Sequence, residues 1–446
     1  MGEGAARWRL PALFGGLLLA SAAGGLAAQL DHNLRAFVIA ALIQGAVWAA
    51  AAAVILSGRG RRPPLALILG AAALLRLTAL SAPVFLSDDV NRYIWDGRVQ
   101  ASGINPYRYL PTDPELEPLR DQEIFPNINR SNYAPTIYPP VAQMLFLVAS
   151  RFAETPLAMK LVFVTIEAVG IATLLFILQA TGRPSEHILL YAWHPLPVWE
   201  IAGSGHVDAA VVTFAALALA AAVSGRRAWS AVPLAAATLI KFFPLAQLPA
   251  LWHPTKSNRG DWRWLVAFLV IIIAAYLPYV SVGPKVLGFL PGYFTEENLS
   301  GGNGFWLLGT ARRAMPVPLA VYIGLAVIVM GGLAAGALRR RPDPRSSLNW
   351  AMALGTAALF FASPHYPWYF VWLVALLTAA PWWPAWWLTL AAVLLYCGDK
   401  TGDVPLWVGS TLYGGFVVLC VADAFRRILL NKGSGVRRVI DCTTQA

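Results

Sequence analysis

The chain has 446 residues, of which 58% are apolar and only 13% are charged. Soluble domains carry about 25% charged residues, so a soluble globular protein is excluded. The net charge of +11 would suggest nucleic acid only if the basic residues formed one patch. Instead they sit in short loops between apolar runs, where they report membrane topology.

Apolar runs recur from end to end, as in a polytopic membrane protein. The first, Leu10–Leu30, follows Arg7 and Arg9. It exceeds a signal-peptide core of about 7–15 residues and reads as a retained helix. Others lie at Leu34–Leu56, Leu65–Phe85, Leu157–Ala180, Ile188–Ile201, Val207–Val223, Ala228–Leu251 and Leu265–Val282. The last are Val317–Leu338, Leu348–Ala362, Trp368–Ala380, Trp386–Tyr396 and Val404–Ala424. Cys397, Cys420 and Cys442 have no metal or redox spacing.

Lysine and arginine in short loops set orientation. Basic loops at Gly58–Arg62, Gly225–Arg227, Lys256–Arg263 and Arg339–Arg345, with the tail 426–446, are predicted to be cytoplasmic. A loop over 83–156 and a second over 283–313 then fall outside. Two stretches break the parity. Tyr138–Pro156 must lie along the outer interface rather than cross, and Ala228–Leu251 must be two short segments meeting outside near Lys241. The expected fold is one all-α membrane domain over 1–446, with roughly 11–14 spans and juxtamembrane helices in the large outer loop. Asp88–Ala101 and Asp113–Ile124 are the helix candidates in that loop.

"LSDDVNRYIWDGRVQASGINPYRYLP", from Leu86 to Pro111, concentrates acids, arginines and rings where the chain leaves an apolar run. As a helix it puts Asp89, Arg92 and Asp96 on one face. Val90, Ile94, Gly97 and Ala101 form an apolar stripe suited to lying on the membrane. A capped amphipathic helix would look the same. The functional reading is a general base at the surface, Asp88 or Asp89, with Arg98, Tyr107, Arg108 and Tyr138 close by. "EIAGSGHVD" supplies Glu200, His206 and Asp208 within apolar runs, where ionisable groups are costly, about 2.5–3.5 kcal/mol for an Asp, Lys or Arg on the insertion scale. Lys241 is either a snorkelling lysine or a cation for phosphate. "SPHYPWYFVW" brackets His365 and Tyr366 with prolines, as an aromatic belt or as rings for a sugar. "GYFTEENLSGGNGFW" (Gly292–Trp306) reads as a linker whose two glutamates could serve a lid. The topology brings all five groups to the outer face.

Taken together, "SDDVNRYIWDGRVQASGINPYRYLP", "YAPTIYPPVAQMLF", "HPLPVWEIAGSGHVDA", "KFFPL" and "SPHYPWYFVW" resemble the bacterial polytopic glycosyltransferases of the GT-C superfold. The nearest branch is the polyprenyl-phosphate-mannose-dependent mannosyltransferases. The resemblance runs from about Phe85 to Trp372. It implies that Asp88 or Asp89 is the catalytic base and that Pro139 and Pro140 open a juxtamembrane helix. It departs at the N-terminus, where two extra apolar runs precede the acid loop. The expected reaction is inverting transfer of a hexose, mannose first, from a polyprenyl-phosphate donor to a lipid or glycan acceptor. It would occur at the outer face of a bacterial inner membrane. Arg92, Arg98, Arg108, Lys241 and His206 are the candidate cations for the leaving phosphate. The sequence requires no metal, and a divalent ion on Asp88, Asp89 or Asp208 stays open. Two rivals share the intramembrane charges: a transporter or flippase of lipid-linked sugars, and a polymerase or ligase using lipid-diphosphate donors. The flippase would show inverted repeats, and none is evident. Nucleic acid is no expected partner; membrane lipid is.

Overall fold

A computed structural model describes residues 2–57, 62–252, 262–339, 343–398 and 404–443, without the side chains of 2–8 and 430–443. The basic loops Gly58–Arg62 and Lys256–Arg263 lie largely outside the described residues, as do 340–342 of Arg339–Arg345 and 444–446 of the tail. Of Cys442 only the helical backbone is described. Among the described residues there is no strand. Six helices are long and apolar enough to cross a membrane. The protein is an all-α polytopic membrane protein.

Helix α1 (Gly2–Leu30) and helix α2 (Leu34–Leu56) form a hairpin. The Asn33 side chain caps α2 by accepting from the Ala36 amide at 3.1 Å. α1 is part of the core: Leu18 and Ala22 are fully buried. A Cβ on Gly25 would stand 2.7 Å from the Trp199 ring, so α1 needs glycine there to approach. Helix α3 (Leu65–Leu80) returns the chain to the end that carries the large loop.

That loop contains helix α4 (Asp89–Ala101) and helix α5 (Pro140–Ser150). α5 has 11 residues, or about 16 Å at 1.5 Å per residue, half of a bilayer core of about 30 Å. Pro140 occupies its first turn, where a missing N–H costs nothing. The Val141 and Ala142 amides donate to the Leu239 carbonyl at 3.1 and 3.3 Å. Leu239 caps the C-terminus of the helix Ala231–Thr238. Helix α6 (Pro156–Ala180) starts at the same level, capped by Thr155, whose hydroxyl accepts from Ala158 at 3.2 Å. α5 therefore begins beside Leu239 and ends just before the start of α6. Ala228–Leu251 is broken as well: the helix Ala231–Thr238 stops, Lys241 follows, and Phe243–Gln247 with Leu248–Leu251 continues the chain.

Two details differ from expectation. The stripe Val90, Ile94 and Gly97 does not face lipid. Val90 and Ile94 are fully buried, and a Cβ on Gly97 would come within 2.5 Å of the Phe146 carbonyl oxygen. The stripe is the seat of α5, which periodicity alone cannot tell from a membrane-facing side. Asp113–Ile124 is not a helix throughout. Only Pro114–Leu119 forms a 3₁₀ helix, because Pro114 and Pro118 lack the N–H that an α-helix would need beyond its first turn.

Beyond α6 the chain runs through short, bent pieces. Ser185–Gly203 includes a wide π-type turn at Val198–Gly203 and ends on Gly205, whose φ is +75°. Asp208–Val223 leads back to Ser224. At the end opposite the loop, Arg345 donates to the Thr181 carbonyl at 2.8 Å and Arg62 pairs with Glu186 at 2.9 Å. Arg62 and Arg345 thus sit away from the acid loop. Cysteines placed at Asn132 and Ala153, on a background lacking the three native cysteines, should both react with an impermeant thiol reagent from one side of sealed vesicles. A cysteine at Ser224 should react only from the other. Labelling of Ala153→Cys with the Ser224 group would mean that α5 crosses.

Candidate active site

α4 begins where α3 has left the bundle, so Asp88 and Asp89 stand at a helix N-terminus, where the dipole favours negative charge. The Asn129 amide nitrogen donates to Asp88 Oδ1 at 2.8 Å and to Asp89 Oδ1 at 2.9 Å. Asp89 is also held through Oδ2 by the Tyr138 hydroxyl at 2.9 Å. Tyr138 in turn meets the Tyr93 hydroxyl at 3.3 Å, and its carbonyl accepts from Tyr107 at 2.7 Å. Asp88 has no such clamp and is exposed at the mouth. Desolvation and the neighbouring Asp89 charge hold its carboxyl above the usual carboxylate range, while Asn129 pulls it back.

The cations on α4 point elsewhere. Arg92 is buried and pairs with Asp96 at 2.9 Å. Its Nη1 reaches the Ala134 carbonyl, and the other Asp96 oxygen accepts from Gln143 at 3.0 Å. Arg98 is spent on Asp121, on Glu154 at 2.8 Å and on the Leu119 carbonyl at 2.9 Å. Both tie the loop to α5 behind the acid pair. Arg108 is exposed and only grazes Ser281 at 3.5 Å.

The intramembrane charges come to the same end. Glu200 accepts from Tyr396 at 2.8 Å and lies 3.1 Å from His206 Nδ1. His206 is fully buried against the Trp368 ring, with centroids 4.4 Å apart. Asp208 pairs with Lys241 at 2.5 Å, and the Lys241 ammonium lies 4.8 Å above the Tyr369 ring. Tyr366 stacks on Trp368 at 4.6 Å. Tyr366, Tyr369 and Tyr396 all lie in the field of Asp89.

The segment 283–313 roofs this chamber. Glu296, in the helix Leu290–Glu296, meets Arg130, and Glu297 meets His365 at 2.8 Å. Tyr293 and Tyr369 join hydroxyls at 2.9 Å. Phe289 donates its amide to the Thr136 carbonyl at 3.0 Å. That approach needs Gly288, since a Cβ there would lie 1.9 Å from the same oxygen.

Sequence reasoning missed Asn129, Arg130, Tyr93 and Lys160, whose buried ammonium donates to the Ala82 carbonyl at 2.7 Å. Asn129 carried one signal, in the triplet "NRS", but that pattern points to glycosylation rather than to a carboxylate clamp. Among the described residues no three His, Cys, Asp or Glu side chains converge as a ligand set.

The acid pair stands at a helix start near aromatic rings in a helical membrane bundle, and its family match makes the protein a glycosyltransferase of the GT-C type. Residues 34–254 match the family model described as alpha-(1->6)-mannopyranosyltransferase, N-terminal domain, and over that stretch the chain belongs to this mannosyltransferase family. The match takes in the acid pair, Glu200, His206, Asp208 and Lys241. No curated protein and no solved structure matches the chain.

Proposed function

We propose that the protein transfers mannose from a polyprenyl-phosphate donor to a glycan or lipid acceptor at the outer face of a bacterial inner membrane, with inversion. The observation that carries the reading is the pair Asp88 and Asp89, joined by one amide beneath the aromatic roof. Asp88 takes the proton of the acceptor hydroxyl. The acceptor oxygen attacks the anomeric carbon. The bond from that carbon to the phosphate oxygen breaks, and its electron pair leaves with the lipid phosphate. Inversion turns a β-linked donor into an α product, and the 1,6-linkage named for the family is the first product to seek. Asp89 positions Asp88 through Asn129. Tyr366, Trp368 and Tyr369 offer ring faces to a sugar, with His206 and the Lys241–Asp208 pair beneath them.

The donor follows from where the site lies. It sits at the end of the bundle away from the basic loops, where cytosolic nucleotide sugars are absent. It is flanked by helices whose large apolar side chains face outward, such as Val327 and Ile328 of Leu319–Arg339. A polyprenyl tail can lie beside them, each buried CH₂ contributing about 0.8 kcal/mol. Purified protein given a membrane extract should transfer labelled mannose from polyprenyl-phosphate mannose and ignore GDP- and UDP-sugars. Transfer from a nucleotide sugar without any lipid intermediate would overturn the donor and the side together.

A further inference from the structure

We propose that Arg130 and Tyr133 form an anion cradle for the phosphate of the donor, and that Glu296 fills it while no donor is bound. The inference rests on the lipid-phosphate reading above.

The cradle is visible through its present occupant. Arg130 Nε donates to Glu296 Oε2 at 2.7 Å and Oε1 at 3.0 Å. The Tyr133 hydroxyl donates to Oε1 at 3.0 Å. Two donors from one turn thus converge on one carboxylate, and a phosphate presents the same kind of anionic edge. Glu296 engages Nε alone, and among the described residues neither terminal nitrogen of Arg130 is hydrogen-bonded to a carboxylate. The forked edge that suits a phosphate is left over.

Position agrees with the chemistry. The residue before Arg130 is Asn129, the clamp on both aspartates, and Arg130 lies in the field of Asp89 and Tyr366. The Arg130 backbone is left-handed, with φ at +56°. A non-glycine residue holds that conformation at a cost, and such strain gathers at ligand clamps. The other cations near the pair are committed: Arg92 to Asp96, and Lys241 to Asp208 and the Tyr369 ring.

Exchange is also open to Glu296. The Arg130 and Glu296 side chains are 25% and 30% exposed, so water and a headgroup can reach both. The helix bearing Glu296 follows two glycines with positive φ, Gly283 and Gly288. The donor phosphate is a diester with one negative charge. When its bond to the sugar breaks, the leaving lipid phosphate gains a second. A guanidinium placed there therefore gains more from the transition state than from the bound donor.

The test is inhibition of mannosyl transfer by farnesyl phosphate, a short lipid phosphate that mimics the leaving group, with full-length protein in nanodiscs. Arg130→Ala should raise its inhibition constant, and the donor KM, by about 10- to 100-fold, the loss of charge-assisted hydrogen bonds. Arg130→Lys should restore only part, because it keeps the charge and loses the fork. Glu296→Gln should act in the opposite sense and lower the inhibition constant, since a neutral amide competes less well for the guanidinium. Inhibition by farnesol, which has no phosphate, should not depend on either residue. If Arg130→Ala fails to fold, the Glu296→Gln shift still decides. Wild-type transfer from polyprenyl-phosphate mannose with unchanged inhibition constants in both variants removes the cradle and leaves the donor class standing. Absence of wild-type transfer from that donor removes both.

Discussion

Asp88→Asn should lower kcat by about 10²–10⁴-fold, the usual worth of a general base, in a protein that still inserts and accumulates. The two carboxylates are not equivalent. Both Asp89 oxygens are engaged, one by Asn129 and one by Tyr138, whereas among the described residues the only side-chain bond to Asp88 is to Oδ1, from Asn129. Asp88 thus has an unclamped oxygen at the mouth of the site. A base must be ionised to act, and desolvation together with the Asp89 charge holds the Asp88 carboxyl above its usual range. Activity should therefore fall with acid through that raised value. Asp89→Asn removes the neighbouring charge, so the acid limb of the pH–rate profile should move to lower pH, with a smaller loss at neutral pH. Asp96→Asn should act through α5 packing and lower thermal stability before turnover. Wild-type turnover in Asp88→Asn would remove it as the base.

The second large effect concerns stability. Arg76 in α3 and Glu167 in α6 form a forked ion pair inside the bundle, with Nε to Oε2 at 2.8 Å and Nη2 to Oε1 at 2.7 Å. Their side chains are 7% and 0% exposed. The Ala192 carbonyl accepts from Arg76 at 2.8 Å, and the Tyr191 hydroxyl donates to Glu167 at 3.0 Å. The pair thus joins α3, α6 and Leu189–Ala192, the segments that carry the acid pair, α5 and Glu200 to the active end. Removing one partner strands a buried charge, at a cost of about 3–5 kcal/mol. Glu167→Ala and Arg76→Ala should each lower the thermal midpoint in detergent and the amount of protein in membranes. Replacing both together with Leu and Met should recover most of the loss, because no charge is left unpaired. Equal losses in the single and double variants would mean that packing, not charge, is at stake.

The large loop, the helix that begins at Asp89 and the short helix that begins at Pro140 were legible in the sequence because each leaves a local mark. Charges interrupt an apolar run, prolines start a helix, and loop charges must alternate. Helix breaks at Gly203–Gly205 and Lys241 were legible for the same reason. What stayed hidden is pairing across long separations. Asn129 meets Asp88 and Asp89 about forty residues away, and Arg130 meets Glu296 over 166. No periodicity records such contacts. The arginines show the converse. Arg92 and Arg98 resemble cations awaiting a phosphate until Asp96 of α4 itself and Asp121 and Glu154 of the loop turn out to occupy them. Arg130 sits in the triplet "NRS", whose pattern says nothing of a phosphate.

The junction between α5 and the helix Ala231–Thr238 has a mechanical meaning. One helix ends with carbonyls lacking partners, and the next begins with amides lacking them. Here the open end of one serves the open start of the other, through the Leu239 carbonyl. The two dipoles run head to tail across the joint, and a side helix is spliced to the bundle without a covalent turn. α4, with its aspartates, rests on α5 through Gly97. The floor of the chamber is therefore one body with the membrane helices. Whatever movement admits a donor and releases a lipid phosphate falls to the roof, which is held by the Arg130–Glu296 ion pair, the Glu297–His365 contact and the amide of Phe289.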